Sequence, residues 1–283
     1  MAERPIIEIN DVTFAYQNTN DQPVLNGVNV HFFPGTVSII CGPTGSGKTT
    51  LVRLLNGLIP HFYEGVMKGN IIVDGINTKD TSTAKLAQVV GMVFQNPENQ
   101  LVSSSCEREI AFGPENLGIP RSEICERVES VIQLLGLHEI RDSSPNELSG
   151  GQKQKVAIAA ALALKPRVLV FDEPTSNLDP ESISKLGGII ETIKTQLNST
   201  IIIVEHRLEP FLNIATHIAC MKDGTVILYD TTENVVRNNA FYQIGVQVPV
   251  VLKIFHQLHY EGVYSGPFPL GTDKGLSILR ELM

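Results

Sequence analysis

The chain has 283 residues and a mass of 31.0 kDa, enough for one sizeable core carrying lobes or a tail. Hydrophobic residues make up 42% and charged residues 18%, a balance that excludes a disordered chain. The net charge of −8 argues against a nucleic-acid backbone as the main partner, because that binding draws on clustered Lys and Arg.

Met1 to Pro5 has no charged leader followed by a long apolar run, and the most apolar run, Val156 to Leu164, is too short to span a bilayer. The expectation is a chain that by itself stays in water. Cys41, Cys106, Cys125 and Cys220 form no C-x-x-C pair, so reduced structural thiols are expected rather than a zinc site or a disulfide framework.

From Ile6 to Ile40 short β-rich runs alternate with Asn, Asp, Pro and Gly, and Val37 to Ile40 feeds a glycine-rich turn. Thr49 to Leu55 then carries apolar residues at helical spacing and ends near Gly57 and Pro60. Gly69 to Gly75 reads as a strand with a turn, and Val89 to Phe94 as a buried strand. Between Ser122 and Leu164 helical periodicity dominates, with Ile124, Val128, Val131, Ile132 and Leu135 on one face. Val168 to Phe171, the helical stretch Glu181 to Leu197, and Ile201 to Val204 form a βαβ unit, which implies a parallel sheet. Val250 to His259 and Thr272 to Leu282 are helical candidates around the connector Gly266-Pro267-Phe268-Pro269.

Three motifs carry chemistry. Gly42-Pro43-Thr44-Gly45-Ser46-Gly47-Lys48-Thr49 satisfies G-x-x-x-x-G-K-[ST] and lies between a predicted strand and a predicted helix. Its glycines let backbone N–H groups face phosphates at a helix N-terminus, Lys48 reaches the β- and γ-phosphates of ATP, and the Thr49 hydroxyl ligates Mg2+. A loose dinucleotide fingerprint fits the same glycines but explains neither Lys48 nor Thr49. Second, the strand Val168 to Phe171 ends in Asp172 and Glu173. Asp172 suits a metal ligand, and Glu173, one residue on and so pointing elsewhere, suits the base that polarises the attacking water. Third, Leu148-Ser149-Gly150-Gly151-Gln152 opens the helical run Lys153 to Leu164, a second anion-facing helix start.

With LSGGQ beside the phosphate loop, the sequence resembles the ABC ATPase family over roughly residues 5 to 230. The resemblance implies an α/β P-loop cassette with a RecA-like core, an antiparallel β element, an inserted helical lobe at about 96–165 and a small C-terminal extension. It divides the chain into an ATPase domain, 1–240, and an extension, 241–283, that serves as a dimerisation element or a simple lobe cover. It also implies that Tyr16 stacks on adenine, that Thr50 continues the nucleotide-binding loop, and that Gln95 contacts Mg2+ and links the site to a membrane subunit. Asp179 matches the D-loop and His206 the residue that contacts the γ-phosphate. Glu205 stands where many members carry Thr, and Arg207 where Asp is frequent. Ser149, Gly151 and Gln152 are implied to close over the nucleotide of a second subunit.

Phe94 to Gln100, Glu109 to Gly113 and the tail from Val248 to Leu282 further resemble the ATPases of energy-coupling factor importers, which take up vitamins or transition-metal ions. That resemblance implies a peripheral protein on the cytoplasmic face of the membrane. Its partners would be a transmembrane coupling subunit, a substrate-binding membrane subunit and a second, identical or related, ATPase. Leu101 to Phe112 is the expected docking surface. Two other readings are a soluble ABC ATPase acting on nucleic acid or ribosomes and a regulatory nucleotide-binding module. The first is disfavoured by the negative charge and the second by the full catalytic set.

Overall fold

The computed structural model describes residues 4–17 and 22–282. Most of the reading of Met1 to Pro5 therefore lies outside the described residues.

A short, mainly apolar run suits a strand covered on both faces. Three such runs, β3 (Val37–Cys41), β7 (Val168–Asp172) and β8 (Thr200–Val204), are buried along their whole length. With β6 (Val90–Val93), β9 (His217–Lys222) and β10 (Thr225–Thr231) they form a six-stranded sheet in the order β10-β9-β3-β8-β7-β6. All of its pairings are parallel except β10 on β9. Helix α7 (Pro180–Leu197), capped by Asp179, makes the crossover between β7 and β8.

A second, antiparallel sheet has the order β2-β1-β4-β5, from β1 (Ile7–Tyr16), β2 (Leu25–Phe32), β4 (Gly65–Val73) and β5 (Ile76–Asn77). β1 is longer than its sequence signal because it runs through an irregularity around Asp11, a non-glycine residue at φ 50. Alternation along the parallel strands divides the interior between two clusters. Ile40, Val168, Val170, Ile202 and Val204 face the antiparallel sheet and α1 (Lys48–Leu55). Ile39, Leu169, Phe171, Ile201 and Ile203 face the helices on the other side.

The short helices α2 (Leu58–His61) and α3 (Thr83–Leu86) lead from α1 toward β6. The helical lobe consists of α4 (Cys106–Asn116), α5 (Arg121–Leu135) and α6 (Gly150–Ala163). The stretch Leu101 to Phe112 is split by this packing: Cys106, Glu109 and Ile110 are buried, whereas Val102 is 70% and Phe112 49% exposed. Buried Glu109 accepts hydrogen bonds from the N–H groups of Val102 and Ser103, fixing the loop ahead of α4.

After β10 come α8 (Thr232–Arg237), α9 (Asn239–Gln243), α10 (Val250–Tyr260) and α11 (Thr272–Leu282). The expected division between residues 240 and 241 falls within α9, where Phe241 is fully buried. Phe255 and Phe268 bury the tail against Leu208, Phe211 and Leu212, while Leu258 and Leu279 are only partly covered. Register also brings Cys41 and Cys220 together, Sγ to Sγ 3.7 Å, although 179 residues separate them. Both remain thiols, and the hydrogen bond between them together with burial holds the Cys41 thiol well above the usual range.

Candidate functional site

The carboxyl ends of β3, β6, β7 and β8 open on one edge of the parallel sheet, the place where α/β sheets gather ligand-binding loops. Each predicted residue of the RecA-like core enters from one of these ends.

β3 ends at Cys41 and the phosphate loop turns at once at Gly42. A Cβ there would lie 2.1 Å from the Met221 carbonyl oxygen, and one at Gly47 2.8 Å from that of Val24, so both positions admit only glycine. Gly47 is also the left-handed N-cap of α1, which has no side-chain cap. The N–H groups at this helix start are left to an outside acceptor. Lys48 folds back over the loop, its Nζ donating to the carbonyls of Gly42 at 3.0 Å and Pro43 at 2.9 Å. The Ser46 hydroxyl is buried without a partner among the described residues.

Thr49 Oγ1 donates to Asp172 Oδ1 at 3.1 Å, joining the phosphate loop to the end of β7. Burial lowers the pKa of Lys48 and raises that of Asp172. Both groups are pushed toward neutrality by the cost of burying charge, and a polyphosphate with a divalent cation would bring opposite charge to each. Thr50 and Tyr16 meet beside the loop, hydroxyl to hydroxyl at 3.1 Å, with the Phe14 ring edge-on to Tyr16 at 4.8 Å.

Glu173 follows Asp172 at φ 48, a left-handed conformation uncommon outside glycine, and its N–H is held by Val204 O at 2.9 Å. The turn aims its carboxylate away from Asp172, as the sequence suggested. Gln95 Nε2, just past β6, donates to Glu173 Oε2 at 2.9 Å, and His206 Nε2, just past β8, lies 3.1 Å from Glu173 Oε1. Three residues that are distant in sequence thus meet on one carboxylate.

The signature residues sit apart from this cluster. Ser149 caps α6 with a full capping box: its hydroxyl accepts from Gln152 N, and the Gln152 side chain accepts from Ser149 N. A Cβ on Gly151 would press on Ser182 Oγ at 2.7 Å. Asp179 caps α7 through Ser182, whose hydrogen bonds hold its carboxyl below the ordinary value. Among the described residues no hydrogen bond joins Ser149, Gly151 or Gln152 to the segment Gly42 to Thr50. An ion pair between Lys153 of α6 and Glu98 connects the signature helix to the segment after Gln95.

Two residues carry structure that their types alone did not announce. Gln100 reaches back to Phe94 N and Met92 O, closing the Gln95 loop onto β6. Glu205, seen in the sequence only as a departure from the usual threonine, is buried and bonded to two loops. A carboxylate directly after four apolar strand residues was the available signal.

The sequence profile of the family described as ABC transporter matches residues 25–176, more than half of the chain. A relative from Pyrococcus horikoshii, provisionally named ABC transporter ATP-binding protein, is 42% identical over 276 residues, covering 97% of this chain and 96% of the relative. A similarly named relative from Methanosarcina acetivorans is 39% identical over 98% of this chain, which spans only 42% of that relative's length. Among solved structures, cbiO1 from Clostridium perfringens, part of the ABC transporter complex cbiONQ, is 30% identical with a TM-score of 0.75, covering 89% of this chain and 99% of cbiO1. The ATP-binding cassette MJ0796, solved as a dimer in a post-hydrolysis state with ADP and Pi, is 25% identical with a TM-score of 0.68, covering 80% of this chain and 98% of its own. By sequence profile, by a relative matched along nearly its full length and by fold, this chain belongs to the ABC transporter ATP-binding family.

Proposed function

We propose that this chain hydrolyses ATP to ADP and phosphate and, as one of two ATPase subunits, powers a membrane importer of the energy-coupling factor type. The convergence of Gln95 and His206 on the Glu173 carboxylate, beside the loop that carries Lys48, carries the catalytic half of this reading.

Gly42 to Gly47 cradle the phosphates with backbone N–H groups, and the orphaned Ser46 hydroxyl lies within that cradle. Lys48 exchanges its two carbonyl contacts for β- and γ-phosphate oxygens. Tyr16 offers its ring to the adenine. Thr49, Asp172 and Gln95 form an oxygen donor set of the kind a small hard cation takes, and they fit Mg2+. The bound ion would offset phosphate charge as the γ-phosphoryl departs. Glu173 takes a proton from the attacking water, Gln95 and His206 hold that carboxylate in place, and His206 meets the γ-phosphate. Ser149, Gly151, Gln152 and Asp179 serve the nucleotide of the second subunit. Closure around ATP and opening after hydrolysis then supply motion.

Likeness to cbiO1, the run Phe94 to Gln100 and the C-terminal extension support the importer assignment. No described helix is long and apolar enough to cross a membrane. In the importer reading, which likeness to cbiO1 supports, partner subunits form the transport path and this chain sits peripherally on the cytoplasmic face. The ATPase domain, 1–240 with its lobe at 96–165, runs without a break into the extension, since α9 spans the boundary. Residues 241–283 hold the two ATPases together, presenting exposed Val250, Ile254 and Leu276. Exposed Val102 and Phe112 receive the transmembrane coupling subunit.

A detergent pull-down tests this assignment. The wild-type chain is expected to retain a polytopic membrane protein that Phe112→Asp loses, with ATPase activity preserved in both. Recovery of ribosomal or nucleic-acid partners alone would leave the ATPase standing and overturn the importer.

A further inference from the structure

Glu205 has no part in the roles assigned above, yet it is only 2% exposed. A carboxylate this deeply buried needs donors on both oxygens, and Glu205 has four. Oε1 accepts from the Thr175 N–H at 3.2 Å and from the Thr175 hydroxyl. Oε2 accepts from the N–H groups of His206 at 2.6 Å and Arg207 at 3.3 Å. Thr175, also 2% exposed, lies two residues after Glu173. One side chain therefore ties the turn that carries Glu173 to the loop that carries His206. A single hydroxyl oxygen at this position, with two lone pairs, could not satisfy all four donors. The backbone of Glu205 is itself anchored, its N–H donating to Ile40 O at 3.1 Å. Beyond it, Arg207 pairs with Gln247 in a parallel bridge ahead of α10, so the loop is held from both sides.

We infer that Glu205 is a positioning residue for ATP hydrolysis. It clamps the His206 loop to the Glu173 turn and so maintains the 3.1 Å contact between His206 Nε2 and Glu173 Oε1. It touches none of the reacting groups and acts through those two residues. The inference rests on the roles given to Glu173 and His206 above.

Glu205→Gln keeps the size of the side chain but sets an NH2 group against N–H donors. Turnover should fall about tenfold or more, the scale of losing an outer-shell partner. The KM for ATP should stay within about twofold, because binding is untouched. The 15N resonances of the His206 ring should move while those of the other histidines stay. Turnover within about twofold of wild type, with Glu173→Gln inactive in parallel, overturns the inference and leaves the Glu173 and His206 roles intact. Lost turnover with unmoved His206 resonances also overturns it, since the effect would then run through the sheet. Full turnover in Glu173→Gln would instead sink the underlying assignment. If Glu205→Gln does not fold, Thr175→Val removes one of the four donors, with an expected loss of about threefold and the same displaced resonances. Unchanged turnover or unchanged resonances in that variant overturn the inference.

Discussion

The chain contains two glycine-rich helix starts, and they are finished differently. α1 begins at Gly47 without a side-chain cap, whereas α6 begins at Ser149 with both halves of a capping box satisfied from within. The first leaves its N–H groups open, and Lys48 and Asp172 nearby are strained toward neutrality, so it is ready for a ligand in a single subunit. The second is content alone. Its polar groups gain by leaving the box only when another molecule brings an acceptor, which suits a surface used between subunits.

Substitutions at four positions break or sharpen that contrast. The largest effect is expected from Glu173→Gln at the open site. It should cut phosphate release by about a thousandfold, within the range of general-base removal, while ATP binding by equilibrium dialysis persists. Lys48→Ala should weaken ATP binding by about tenfold to a hundredfold, the loss of charge-assisted hydrogen bonds worth roughly 1.5–3 kcal/mol. Ser149→Ala should lower turnover by about tenfold and remove a helix cap worth about 1 kcal/mol, yet leave ATP affinity of the isolated subunit unchanged. An equal loss of monomer affinity in Lys48→Ala and Ser149→Ala would erase the distinction between the two ends. The smallest effect belongs to Tyr16→Ala. It should weaken ATP binding by about fivefold, near the low end of base–aromatic stacking, and Tyr16→Phe should restore it although the bond to Thr50 is gone.

The fold was largely legible because its signals are local. Short, mainly apolar runs announce strands buried on both faces, and the spacing of Ile124, Val128 and Val131 announces α5. The phosphate loop, the Asp172-Glu173 pair and the signature each fit within a short stretch, so their chemistry could be stated before any coordinate was known. The far end of β1 was less legible, because its pairing with β4 survives an irregularity at Asp11 that interrupts the alternation. Within Leu101 to Phe112 the sequence did not say which side chains would be exposed. Amphipathic spacing marks a face but does not say which residues a neighbouring helix covers, and tertiary packing took Ile110 and left Phe112.

By itself the sequence determined that this chain binds a nucleotide phosphate chain on a parallel α/β sheet, since glycine conformation, strand burial and helix capping are properties of neighbouring residues. Only the tertiary structure decided that Gln95 and His206, 78 and 33 residues from Glu173, share its carboxylate, and that Glu205 joins the Glu173 turn to the His206 loop. It also decided that Cys41 lies against Cys220. The physical reason is register. Side-by-side strands bring their carboxyl ends to one edge, and which side chains meet there follows from strand order, which crossovers set and no local pattern of residues records.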